Sequence, residues 1–293
     1  MKRRWIWLLL TLLCLLLTGC AAGSTDWADL QDSWTAGSVA SADEAAWSYS
    51  LWSQEVYRET CAPEDQQVLA TGRYALPRMT AYHADGTEYD LAAESDSQAV
   101  RVVQRFQGYF DDWLETQQTN FAEISVMAQE TYAQKAAEEH WYCYTDEVES
   151  TFWNNDHIAC VTLWRTSYTG GAHSIRVRTA VTMDMRTGRE VTINDMVSNY
   201  GGLQDAVTDY ILEQINSPQW LLQNSSDALF KDYAETVPEW MSRSVFFSDG
   251  QMTVVFGVYD LAPYTAGEQA FAVPYTVIEP YLNDYGREVL EIA

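Results

Sequence analysis

The sequence predicts an α+β fold, with mainly antiparallel sheets, packed helices and two small modules in tandem. Three observations carry that expectation. Apolar residues alternate with period two in paired blocks, as over 142–153 and 157–168. Elsewhere they recur at helical spacing, as at Val100, Val103, Phe106, Phe110, Trp113 and Leu114. Strands and helices also come in runs rather than in regular βαβ alternation, which points to hairpins.

In chain order, residues 1–19 have the parts of a bacterial lipoprotein signal. Lys2, Arg3 and Arg4 precede an apolar run from Trp5 to Leu17, broken only by Thr11, and then Leu17-Thr18-Gly19-Cys20. The strongly apolar stretch falls short of the roughly 20 residues a membrane span needs. Cleavage is therefore expected before Cys20, whose sulfur then carries a diacylglycerol with palmitate-type chains. Two chains, at about 0.8 kcal/mol per buried CH₂, give stable anchoring. The mature chain is expected on the extracytoplasmic face of the bacterial cell membrane.

Residues 20–65 read as a tether, small and polar around Thr35–Ala46. Trp27, Leu30 and Trp34, and then Trp52 and Val56, fall at helical spacing and suggest short docking helices. Residues 66–140 are assigned to the first module, with the possibility of its running on to about 170. It begins as extended chain over 68–90, with breaks at Leu76-Pro77 and Asp85-Gly86. A helix follows, capped by Ser95, Asp96 or Ser97. A second helix is expected over 121–139, with Ile124, Ala128, Tyr132 and Ala136 inward.

Residues 141–293 form the second module. Its first hairpin turns at Asn154-Asn155-Asp156, and the return strand is apolar on both faces (Ile158, Cys160, Val161, Leu163, Trp164), hence central. The next strand turns Ile175, Val177, Thr179, Val181 and Met183 inward, and Arg176, Arg178, Thr182 and Asp184 toward water. Helices are expected over 203–215 and 221–234, strands over 245–247, 252–259 and 271–275, and a last helix over 276–282.

Charge narrows the functions. Asp and Glu number 42 against 17 Lys and Arg, for a formal net charge of −25; loss of three cations with the signal takes it to −28. So acidic a surface repels nucleic-acid phosphates, and it repels anionic lipid heads, leaving Cys20 as the membrane contact. It attracts cationic partners. A composition 47% hydrophobic and 13% aromatic belongs to a packed core rather than a disordered chain. Of the cysteines, Cys61, Cys143 and Cys160 allow one disulfide at most. The expected hairpin register sets Cys143 opposite about residue 166 and Cys160 opposite about 149, against a direct bond between them.

Catalytic and metal motifs are not found. The four histidines, His83, His140, His157 and His173, form no His-Glu-x-x-His, and there is no Cys-x-x-Cys, Gly-x-Ser-x-Gly, phosphate loop or dinucleotide fingerprint. No cofactor, metal or catalytic residue is expected. Two segments stand out instead. Tyr168-Thr169-Gly170-Gly171-Ala172-His173 joins two strands, and its paired glycines permit positive φ and close approach. Tyr259-Asp260-Leu261-Ala262-Pro263-Tyr264-Thr265-Ala266-Gly267 leaves the most apolar strand as an aromatic loop, the kind of element that carries recognition. The candidate binding residues are Tyr168, Gly170, Gly171, His173, Tyr259, Pro263, Tyr264 and Gly267.

These two segments, together with Met185–Met196 and Phe271-Ala-Val-Pro-Tyr275, resemble the sensor ectodomain of RsiV-type anti-sigma factors and the module pair preceding the catalytic domain of PdaC-type peptidoglycan deacetylases. The resemblance covers about residues 66–285. It implies a free-standing, non-catalytic envelope lipoprotein that binds or senses a ligand: a cationic protein such as lysozyme, or peptidoglycan fragments. Four residues precede the apolar segment and the chain ends at Ala293, so neither a sigma-binding nor a deacetylase domain is expected. The rival expectations are a peptidoglycan hydrolase using His173 as base, and an assembly factor for a membrane complex.

Overall fold

A computed structural model describes residues 33–39, 47–136, 139–223 and 228–292. The signal, Cys20, Trp27 and Leu30 lie outside them. Seven strands form one sheet in the order β1 to β7: β1 (Ser33–Val39), β2 (Trp47–Cys61), β3 (Val68–Tyr82), β4 (Tyr144–Asn154), β5 (Ile158–Tyr168), β6 (Ile175–Asp184) and β7 (Arg189–Glu190). Neighbours are antiparallel except β3 and β4, which run parallel over Ala70–Tyr74 and Tyr144–Val148. Parallel neighbours need a long crossover, and helix α1 (Gln98–Gln134) supplies it. The fold is α+β with mainly antiparallel sheets, and this one βαβ unit interrupts the hairpin pattern.

Helix α1 starts at Ser97, whose side chain accepts a hydrogen bond from the Val100 N–H. It then runs unbroken for 37 residues, about 55 Å at 1.5 Å per residue. The two helices expected here are one. The polar run around Gln117 and Gln118 looks like a boundary, but Gln117 occupies the buried stripe between Phe110 and Phe121, and no Gly or Pro breaks the backbone there. The N-terminal half packs Val103, Phe106 and Phe110 on Leu51, Tyr74, Leu76 and Val161. The C-terminal part packs Phe121, Ile124 and Ala128 on Leu69, Ala70 and Tyr144.

The expected tether holds a core strand from Trp47 onward. Trp47, Tyr49 and Leu51 are buried with period two; polar Ser53 and Glu55 then take the next alternate positions and end the apolar pattern. Pro77 does not break β3 but pairs with Ser53, beyond the last β3–β4 pair at Tyr74 and Val148, where one edge of the strand has no neighbour needing its N–H. The hairpin β4–β5 pairs Trp153 with Cys160 and Thr145 with Tyr168, four residues from the expected register in its pair sum. Cys143 and Cys160 are free thiols, and Cys61 is disulfide-bonded to neither of them.

The second sheet has the order β10-β9-β8: β8 (Ser244–Ser248), β9 (Gln251–Phe256) and β10 (Gln269–Pro274). Its core gathers Val254, Phe256 and Val273, Leu203, Val207 and Ile211 from the longest helix of this region (Tyr200–Ile215), and Ile158 from β5 of the first sheet. The helix expected over 221–234 is replaced by short helices at Pro218–Gln223 and Tyr233–Thr236. The last helix resolves into Tyr275–Ile278, a 3₁₀ turn at Glu279–Tyr281 and Asp284–Val289. The boundary drawn at 140 falls inside the seven-stranded sheet, whereas the second core draws most of its residues from Val191 onward. No helix among the described residues is long and apolar enough to cross a membrane.

Candidate functional site

The loop between β5 and β6 turns on its two glycines. Gly170 and Gly171 have φ of 90° and 99°, values that side-chain-bearing residues rarely adopt. Gly170 also lies so close to Tyr144 that a Cβ there would meet the hydroxyl at 3.1 Å. Tyr168 Oη donates to the Gly171 carbonyl at 3.3 Å and closes the turn.

The second loop leaves β9 through a carboxylate-braced turn. Asp260 accepts from the Gly257 N–H at 2.7 Å and from Arg243 Nη1 at 3.0 Å. Leu261 and Ala262 are buried anchors, and Pro263 precedes a 3₁₀ turn, Tyr264–Ala266, that ends at Gly267 with φ of 71°. Tyr259 has φ of 70° and is 56% exposed. A non-glycine residue in the left-handed region costs about 1–2 kcal/mol, so the fold holds this ring outward at a cost. Such outliers cluster at recognition sites.

The two loops meet. The His173 ring stacks on Tyr264 at 3.6 Å between centroids and 16° between planes, and Tyr259 lies 6.0 Å beyond Tyr264. Tyr264 Oη donates to the Ser174 carbonyl at 2.6 Å, and His173 Nδ1 lies 3.1 Å from the same oxygen. A carbonyl only accepts, so Nδ1 carries a proton. The ring is oriented by backbone and by stacking, not by a carboxylate as a general base normally is. Among the described residues, no three of His, Cys, Asp and Glu are grouped to hold a metal ion.

Next to this corner lies a partly buried charge cluster that the sequence does not reveal. Arg178 pairs with Glu268 at 2.5 Å and stands over the rings of Trp164 at 4.4 Å and Phe246 at 5.0 Å, while Arg176 covers Trp164 at 4.3 Å. It joins β6 to the end of the second loop. Burial pushes the Glu268 carboxyl above its ordinary value, against the opposing pull of Arg178 and Arg176. Burial likewise lowers Arg178, which still keeps its proton.

Of the dry and wet faces expected for β6, the dry one holds only at the C-terminal end, and there Thr182 and Asp184 of the expected wet face are buried as well. Val181 and Met183 are buried, but Ile175 and Val177 are 50% and 44% exposed, and the Arg178 side chain is only 11% exposed. Trp164, Phe246 and Glu268 cover the Arg178 side chain. Of the candidate binding residues, His173, Tyr259 and Tyr264 come together, and Pro263 and Gly267 frame the turn beneath them. Tyr168, Gly170 and Gly171 belong instead to the other side of the first loop. There they border a cavity of about 650 Å³ that also exposes Trp141, Tyr142 and Tyr144.

Comparison with known proteins places the second loop, but not the first, inside a recognised domain. The profile of a family described as a protein of unknown function (DUF3298) matches residues 198–276. A crystal structure of a DUF3298 member from Bacteroides fragilis is 17% identical, covers 82% of this chain and 96% of its own, and superposes with a TM-score of 0.55. A DUF3298 protein from Pseudomonas aeruginosa is 20% identical over 80% of this chain and 95% of its own, with a TM-score of 0.45. No curated protein matches the chain. The Bacteroides likeness establishes a shared fold.

Proposed function

We propose that this chain is a non-catalytic recognition module of the RsiV/PdaC type, held on the outer face of the cell membrane by lipid on Cys20 and binding a cationic protein such as lysozyme. The observation that carries the reading is the exposed corner where Tyr259, Tyr264 and His173 converge beside Ile175 and Val177. Exposed aromatic and aliphatic side chains together mark contact surfaces on proteins that otherwise expose apolar groups singly. A chain of net charge −25 attracts a cationic partner. The hydrolase reading draws less support, since among the described residues His173 is held by a carbonyl and a tyrosine ring rather than by a carboxylate.

Immobilised chain should retain hen lysozyme at low salt and lose much of it at 0.3 M salt, where screening has shortened the reach of charge. Tyr259→Ala should weaken retention about ten-fold at either salt. Equal retention of cytochrome c would reduce the effect to charge alone, and no retention of lysozyme would remove the reading. For the anchor, mass spectrometry of the N-terminal peptide should find a diacylglyceryl thioether on Cys20. That sulfur cannot also join a disulfide, so a mass released by reduction alone would refute lipidation.

A further inference from the structure

The cavity on the far side of the Gly170-Gly171 loop is lined by aromatic side chains together with Thr131, Gln134, Lys135, Glu139 and His140. We propose that it binds a short neutral glycan, one or two pyranose rings stacked against its aromatic residues.

Three observations lead there. First, the aromatic surface is already organised. Trp141 and Tyr144 stack at 5.2 Å and 26°, Tyr132 meets Trp141 edge-on at 5.3 Å, and Tyr142 is 64% exposed at the margin. The glycine loop forms the opposite side, brought close to Tyr144 by the lack of a Cβ at Gly170. Second, the volume of about 650 Å³ lies within the 300–1,000 Å³ of small-ligand sites. Third, hydrogen-bonding side chains stand beside the rings in the cavity lining, Thr131, Gln134 and Glu139 among them.

Charge selects the ligand class. Lys135 and His140 border the cavity together with Glu139. A cationic ligand meets Lys135, and an anionic one meets Glu139 and a molecule of net charge −25. A neutral ligand avoids both penalties. Among neutral ligands, a pyranose offers an apolar C–H face to an aromatic ring and a rim of hydroxyls to groups such as Thr131 and Gln134. Purely apolar ligands would leave these polar groups unpaired.

The test is saturation-transfer NMR on the intact chain with chitotriose and with cellotriose, at low and at moderate salt. Transfer from at least one sugar is expected, unchanged by salt, with a shift in one of the indole N–H signals. Tyr142→Ala, at an exposed position that leaves the core intact, should weaken binding about ten-fold, and Trp141→Leu should weaken it further. Which sugar binds tells whether an acetamide group is recognised. No transfer from either sugar overturns the inference, as does binding that survives both substitutions in folded protein. The lysozyme assay reads the Tyr259 corner and depends on salt, so the two results can fail separately.

Discussion

At the scale of single residues, position relative to cover outweighs residue type. Ile175 and Val177 have the alternation of a buried face and are exposed, while Arg178, on the face expected to be wet, is nearly enclosed. Glu268 shares that enclosure, and its raised value has a consequence for stability. A carboxyl whose folded value lies above its unfolded one contributes stability that is complete below the unfolded value and is lost as pH rises through the folded one. Glu268→Gln has no such loss. Its stability relative to the parent chain should therefore improve as pH rises from 4 to 7, read as the difference in Tm at each pH. A difference that instead grows worse with pH would mean that attraction to Arg178 outweighs burial. The stacked pair His173–Tyr264 carries a related lesson. Both residues were legible as candidates from motif alone, but their contact was not, because Tyr264 reaches back to the Ser174 carbonyl 90 positions earlier in the chain.

At the scale of elements, the long helix is the clearest case of a local signal overruled. Six residues from Glu115 to Asn120 are all polar, and a reader of periodicity stops there. The backbone continues because the stripe Phe110, Gln117, Phe121, Ile124 and Ala128 keeps its spacing, with an amide standing where an apolar residue belongs. The Gln117 Oε1 is buried with no hydrogen-bond donor among the described residues. An unsatisfied buried acceptor costs about 1–3 kcal/mol. Gln117→Leu should thus raise stability by about 1 kcal/mol or more in urea titration. Loss of stability would mean that the amide has a partner or that leucine does not fit. Strand β2 was missed for the converse reason: its alternation lasts only from Trp47 to Leu51 before polar residues take the repeating positions.

At the scale of the whole molecule, the two sheets are built as one body. Ile158 of β5 lies in the second core, and Trp153 Nε1 donates to Asp249 at 2.9 Å across the sheets. Tyr285 Oη donates to Asp184 at 2.7 Å, and Asn155 Nδ2 to the Val289 carbonyl at 2.9 Å. Arg178 and Glu268 add a charged link. Separate unfolding of either part would strip cover from the other, so calorimetry should find a single transition with calorimetric and van't Hoff enthalpies in agreement. Two resolved transitions would show that the parts fold independently.

The α+β class, the strand-rich second half and the two conspicuous loops were all written in local sequence, because periodicity, turn glycines and aromatic clustering act over a few residues. So was the acidic charge, which depends on composition alone. Tertiary structure decided the rest: the parallel β3–β4 pair, the continuity of one sheet across residue 140, the contact of His173 with Tyr264, and the cavity behind Gly170. Each depends on which distant segment covers a given face, and a pattern read along the chain contains no information about what will lie across it.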